Sequence, residues 1–195
     1  MAIATSIKLI TAATSNAVTT AEAKTHLKVD YSDATENTFI DSLIVAAQRQ
    51  VEAYTNRVLS DTTYELNLSA FPNGGIVLPF SKLKTLTSVK YYDSDNNQQT
   101  WANTNYFYEI NETPPVIRYV DSPPDAYSYR VDAVTVQFVV GYTSPEIIPA
   151  GLEAAIKLLL TDLYENRSDV PREKFTAWKS LAYPYRIWHS TTENK

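Results

Sequence analysis

The 195-residue chain has no cysteine. That excludes disulfides and thiolate-ligated zinc. It has two histidines, His26 and His189, and neither has a second ligand at helical or hairpin spacing. No metal site and no cofactor are therefore expected. No apolar run approaches the ~20 residues a membrane span needs. The opening Met1-Ala2-Ile3-Ala4-Thr5-Ser6-Ile7-Lys8 lacks a basic region followed by an apolar one, so no signal peptide is read. Phosphate loops are missing too. The one glycine pair, Gly74-Gly75, follows Pro72-Asn73 and reads as a turn.

Charge of one sign is also scarce. Lys and Arg number 17 against 22 Asp and Glu, a net charge of -5. A broad grip on nucleic acid needs clustered cations. Lys82, Lys84 and Lys90 are instead scattered, as on a solvated or edge-protecting face. An acidic wall repels phosphates, which suits a surface that duplex slides past without specific binding.

Aromatics are plentiful, with 14 Tyr and 3 Trp. They suit interfaces, where one end of the side chain is apolar and the other polar. They equally suit β-strands.

The chain reads as helix, then strands, then helix. Thr19 and Glu22 stand at capping-box spacing and open a short helix. Asp33 and Glu36 repeat that spacing before a longer one. Its apolar positions Phe39, Ile40, Leu43, Ile44, Ala47, Val51 and Tyr54 step by three and four. Asn56 can take the left-handed conformation that ends it. Strands are expected over 62–68, 76–79, 86–92, 98–102, 106–110, 116–120 and 130–140, the last being the longest. Asp93 to Asn97 makes a hairpin loop. Helix returns after Pro149, with Leu152, Ala155, Ile156, Leu159, Leu160 and Leu163 on one face and Asn166 as its stop. Pro171 opens a last short helix through Phe175, Trp178 and Leu181, closed at Pro184.

The fold class expected is α+β: a small helical bundle with an inserted antiparallel sheet and a C-terminal helical arm. The bundle's N-terminal part is 1–60, the β insert 61–143, the bundle's C-terminal part 144–170 and the arm 171–195. Both long helices close on Tyr-x-Asn-Arg, at Tyr54-Thr55-Asn56-Arg57 and Tyr164-Glu165-Asn166-Arg167.

No catalytic constellation stands out. Glu109, Asp121, Asp125 and Asp132 could serve a carboxylate-dependent glycoside hydrolase, but acids near turns are ordinarily just solvated. A Tyr- and Trp-rich sheet could recognise a carbohydrate or receptor. The tail is unusual for a terminus, with Tyr183, Tyr185, Arg186, Ile187 and Trp188 after the Pro184 break. It either folds back on its own domain or docks on a partner.

In order along most of the chain, these landmarks resemble the head-tail connector, or adaptor, proteins of tailed phages and gene-transfer particles, in their longer form with a β insert. The resemblance is carried by Val18 through Asp30, by Phe39-Ile40 to Ala46-Ala47, and by Glu52-Ala53-Tyr54-Thr55-Asn56-Arg57. It continues through Phe71-Pro72, Ile76-Val77-Leu78-Pro79 and Val89-Lys90-Tyr91-Tyr92-Asp93. Phe138-Val139-Val140-Gly141-Tyr142, Pro149 and Leu163-Tyr164-Glu165-Asn166-Arg167 complete it. The chain departs from the family at Asn56 and at Asn96-Asn97, where glycine is usual. Asn tolerates positive φ as well.

The resemblance implies a non-enzymatic virion protein at the head–tail interface, assembled in the host cytoplasm. It implies a ring, typically of twelve, below the portal protein. That ring extends the DNA channel and receives the next head-completion, stopper or tail protein. On this reading Trp178, Tyr183, Tyr185, Arg186 and Trp188 contact the portal, with the arm mobile in the monomer. Charges off the buried stripes, Arg49, Glu52, Arg57, Glu165 and Arg167, make the ring interface.

Overall fold

In the computed structural model, residues 4–30, 34–80, 82–142, 148–166 and 176–188 are described. The class is α+β, as the patterning predicts. The chain divides into two compact units, 1–13 with 61–142 and 14–60 with 143–195.

The first unit carries the sheets. β1 (Ala4–Thr11), β2 (Thr62–Leu68), β4 (Leu83–Tyr92), β5 (Gln98–Trp101) and β8 (Val134–Val140) form an antiparallel sheet in the order β1-β2-β8-β4-β5. β3 (Ile76–Val77), β6 (Tyr106–Tyr108) and β7 (Val116–Tyr119) form a smaller one, ordered β3-β7-β6. Alternation puts Val134, Val136, Phe138 and Val140 of the central strand β8 inward. Leu66 and Leu68 of β2 and Leu83 and Val89 of β4 are buried as well.

Two strand expectations are corrected. β1 was read as part of a helical stretch, yet it pairs with β2, Ile7 opposite Leu66. Its side chains from Ser6 to Thr11 are all exposed, so it leaves no burial pattern in the sequence. The longest strand is β4, with ten residues, and not β8, with seven. Arg130 and Asp132 explain the shortfall. They pair with each other at 2.8–2.9 Å, and Arg130 lies 3.7 Å over the Tyr92 ring, so 130–133 turns instead of extending.

Turn chemistry closes the hairpins. Asn96 takes φ 61° in the β4–β5 loop, where the Asp93 carboxylate accepts the N–H groups of Asp95 and Asn97. These bonds, led by that from Asn97, hold Asp93 below the usual carboxylate range. Gly75 takes φ 117°, and a Cβ there would lie 2.6 Å from the Ile117 carbonyl oxygen.

Much of the aromatic surplus is core. Phe71 packs on Tyr91, Trp101 and Tyr119, with ring centroids 4.9–6.1 Å apart. Trp101 and Tyr106 are buried and 5.4 Å apart. Burial holds the Tyr119 hydroxyl protonated well beyond its ordinary range, and it donates to the Pro72 carbonyl at 3.0 Å.

The second unit is helical: α1 (Thr20–Leu27), α2 (Asn37–Thr55), α3 (Ala150–Glu165) and α4 (Ala177–Ala182). The Thr19–Glu22 capping box is formed in full. Asp33, read as a cap for α2, lies outside the described residues; Glu36 occupies the N-cap position without a side-chain capping bond. Ile40, Ile44, Ala47 and Val51 of α2 are buried, as are Leu152, Ala155, Ile156, Leu159 and Leu160 of α3. Each large side chain among these contributes about 1.5–3 kcal/mol by leaving water.

Candidate functional site

The C-terminal segment folds back onto the end of α2. A helix end leaves carbonyls without intrahelical partners. Asn56 ends α2 in the left-handed conformation, φ 55° and ψ 32°. The Thr55 carbonyl then accepts the Ile187 N–H at 2.9 Å. Asn56 Nδ2 donates back to the Ile187 carbonyl at 3.0 Å. Arg57 Nε donates to the Tyr185 carbonyl at 2.5 Å. Three consecutive residues thus hold an extended strap by its backbone.

Side chains complete the seat. Trp178 of α4 is buried, edge-on to Tyr54 at 5.4 Å between centroids. Ala182 and Ile187 are buried too. Gly151, at the start of α3, makes room for Tyr185: a Cβ there would fall 2.6 Å from the ring.

Outward, the same segment presents Tyr183, 50% exposed, and Trp188, 61% exposed, with centroids 6.1 Å apart. The Arg186 guanidinium lies 4.2 Å from the Trp188 ring centroid and 5.3 Å from that of Tyr54.

Residues 176–188 are therefore packed on the unit, which differs from the expectation of an arm mobile in the monomer. Hydrogen bonds from Thr55, Asn56 and Arg57 and burial of Trp178 and Ile187 are the reason. Of the five residues read as portal contacts, Trp178 is an internal anchor, Tyr185 and Arg186 are half-buried, and Tyr183 and Trp188 face out. Pro171 and Phe175, read as the start of the last helix, lie outside the described residues.

The charged residues read as ring contacts scatter. Glu52 is buried, against expectation. Its Oε1 accepts from Gln48 Nε2 at 3.0 Å and from the Leu59 N–H at 2.9 Å, and its Oε2 accepts from Arg49 at 3.1 Å. A buried carboxylate is tolerated only when its lone pairs are used this way. Gln48, which sequence reasoning missed, also bonds Ser60 and accepts the Ala17 N–H. Its one signal was a polar residue lying on the buried stripe of α2. Arg57 is spent on Tyr185. Arg49 and Glu165 are exposed, and Arg167 lies outside the described residues.

The two Tyr-x-Asn-Arg endings do different work. Tyr164 donates its hydroxyl to Glu36 at 2.6 Å and stacks near Phe39, 6.1 Å between centroids. Asn166 has φ -103° and bonds back to Asp162, so it is not a left-handed stop.

The hydrolase candidates do not assemble. Asp132 gives both oxygens to Arg130, which holds its carboxyl below the ordinary range, the wrong direction for a general acid. Glu109, Asp121 and Asp125 are exposed on loops. His26 is exposed beside Glu22 and Lys157. Lys84 is paired with Asp61, and Lys82 donates to Asn111. His189 lies outside the described residues. Among the described residues no cluster of His, Asp and Glu could hold a metal, and no helix is long and apolar enough to cross a membrane.

Residues 18–114 match the family model described as phage gp6-like head-tail connector protein. Solved structures share the fold over nearly all of the chain. A chain in the neck of an empty gene-transfer-agent (GTA) particle, computed with C6 symmetry, has a TM-score of 0.81 at 21% identity, covering 98% of this chain and 100% of that one. A chain of the virion of a native GTA particle has a TM-score of 0.78 at 21% identity, covering 93% and 95%. A chain in the neck of a native GTA particle, computed with C12 symmetry, has a TM-score of 0.70 at 19% identity, covering 98% and 100%. No curated protein matches the sequence.

Proposed function

We propose that this chain is a structural subunit of a virion neck, a reading supported by the match of residues 18–114 to the family model described as phage gp6-like head-tail connector protein. It forms a ring, with twelve copies the working number, below the portal. The ring extends the DNA channel and receives the next stopper or tail protein. The chain is made in the host cytoplasm and acts at the head–tail interface, with no chemistry of its own.

One observation carries this reading: the fold coincides with that of neck chains along almost its whole length, both units included. Those chains come from particles treated with sixfold and twelvefold symmetry, which supports a cyclic arrangement. A head-to-tail ring needs two unlike surfaces on each copy. Arg49 and Glu165, exposed on the helical unit, remain candidates for one such contact, and Arg167 with them. The outward Tyr183 and Trp188 are of the types that dominate binding hot spots, and they supply the face for the portal.

The test is reconstitution on portal-bearing heads that lack this protein. Wild-type chain should add a ring and restore tail joining. Tyr183→Ala with Trp188→Ala should remain folded and add at least tenfold less protein per head. Heads that join tails equally well without the chain would refute the proposal.

A further inference from the structure

The opening strand belongs to one unit and the chain that follows it to the other. Residues 1–13 sit with the sheets, and residues 14–60 sit with the helices. β1 therefore pairs with a strand far along the sequence, with residues 12–61 lying between them.

Its hold on β2 is mostly backbone pairing, with one side-chain bond from Asn67 to Ser6 at 3.2 Å. From Ser6 to Thr11 every side chain is exposed, Ile7 by 44% and Leu9 by 50%. The pairing runs Ile7–Leu66, Lys8–Glu65 and Leu9–Tyr64. Its register breaks on both sides, between Ala4 and Ser6 and between Leu9 and Thr11. Detaching the stretch from Ser6 to Thr11 uncovers no buried side chain of its own. β2 is different, since Thr62, Leu66 and Leu68 are buried. A strand beside it satisfies its backbone groups. Any copy of β1 does so equally, because the bonds re-formed are the same.

The connection to the helices is short and built of small residues. Ala17 is fixed, its N–H donating to Gln48 Oε1 at 2.8 Å, and Val18 is fully buried. Between Thr11 and Ala17 lie Ala12, Ala13, Thr14, Ser15 and Asn16. Fully extended, this tether spans about 17 Å, at about 3.3–3.6 Å per residue.

We infer that β1 is exchanged between neighbouring copies, each copy's β1 pairing with the β2 of the next. The strand beside β2 in the assembly is thus supplied by a second copy of this chain. Exchange keeps the number of bonds, and a closed head-to-tail ring leaves no β1 without a β2. Neighbours in one ring meet at about millimolar effective concentration, which removes the dilution that favours self-pairing in the free chain. The ring rests on the neck reading above, and exchange is a further step.

The chain has no cysteine, so introduced thiols are the only ones. Lys8 and Glu65 stand opposite each other, as do Thr11 and Thr63. Opposed strand positions lie within the reach of a disulfide. Lys8→Cys and Glu65→Cys are placed together in one chain, and singly in two chains mixed in equal amounts. Each sample is oxidised when dilute, on portal-bearing heads, and without heads at about 1 mM. Urea denaturation first confirms folding, and Thr11→Cys with Thr63→Cys replaces a pair that does not fold.

The inference expects the double variant to close within itself when dilute and to give a ladder of multimers on heads. The mixed chains should link in roughly a quarter of neighbouring pairs, the share in which the two substitutions meet in that order. Heads that gain the protein with links only inside single copies overturn exchange and keep the neck assignment. Cross-copy dimers at about 1 mM, with no protein added to heads, keep exchange and discard the neck assignment. No cross-copy dimer in either setting overturns exchange.

Discussion

Asn56 and Ile187 stand 131 positions apart and are joined by a 3.0 Å hydrogen bond from the Asn56 amide to the Ile187 carbonyl. The same Asn56 ends α2 at positive φ. One side chain therefore both stops the helix and straps the C-terminal segment to it. Asn56→Gly keeps the backbone conformation and loses this one of the three bonds that hold the segment. It should cost about 1 kcal/mol in urea unfolding. Asn56→Ala loses both and should cost about 2 kcal/mol. Equal stability of Asn56→Gly and wild type would show that the Asn56–Ile187 bond contributes nothing.

Glu52 separates a folding role from an assembly role. Removing its carboxylate leaves the Leu59 N–H and the Gln48 amide short of an acceptor within the protein. Glu52→Ala should lower stability by about 2–3 kcal/mol in the isolated chain. Glu52→Gln keeps one acceptor and should cost less. A stable Glu52→Ala chain that fails only in assembly would return Glu52 to the subunit interface.

Two adjacent glycines should behave differently. Gly75 has φ 117° and no room for a Cβ against Ile117, whereas Gly74 has φ 88° and open space. Gly75→Ala should cost about 1–3 kcal/mol, and Gly74→Ala should cost less. Equal losses by thermal unfolding would mean that backbone strain alone matters and the contact does not.

Acid should weaken the chain. Four carboxyls among the described residues are held below their ordinary values: Glu22 by the Thr19 N–H, Asp93 by the Asn97 N–H, Glu112 by Arg118 and Asp132 by Arg130. Unfolded, they titrate near 4.5 for Glu and 3.8 for Asp. Folding thus favours their charged forms, and this contribution is complete above those values. It is lost as pH falls through the lower folded values. The urea midpoint should be level from pH 7 to about 5 and drop below about 4.5. A midpoint that stays level down to pH 3 would contradict this.

Much of the fold was legible because its signals are local. The Thr19–Glu22 box, the periods of α2 and α3 and the alternation of β8 each lie within a few residues. Asn96 and Asn56 take positive φ, the turn work for which glycine is the usual residue. What escaped depends on distant partners. β1 is fully exposed on its described side chains and is a strand only through β2. Glu52 looked solvated because its acceptor role is set by Leu59 and Gln48, one turn and one loop away. The aromatic tail looked free because its anchors, Thr55 to Arg57, lie over a hundred residues upstream. Nothing local marks Gly151 as the seat of Tyr185.

The central claim is that this chain forms a ring beneath the portal. Cryo-electron microscopy of portal-bearing heads mixed with the purified chain tests it most directly. The account predicts a closed ring of added density below the portal, continuous with the DNA channel. The segment 176–188 should lie at the portal contact, with Trp178 and Ile187 still packed on α2. Heads that gain no density there, or gain single copies elsewhere on the shell, would contradict it.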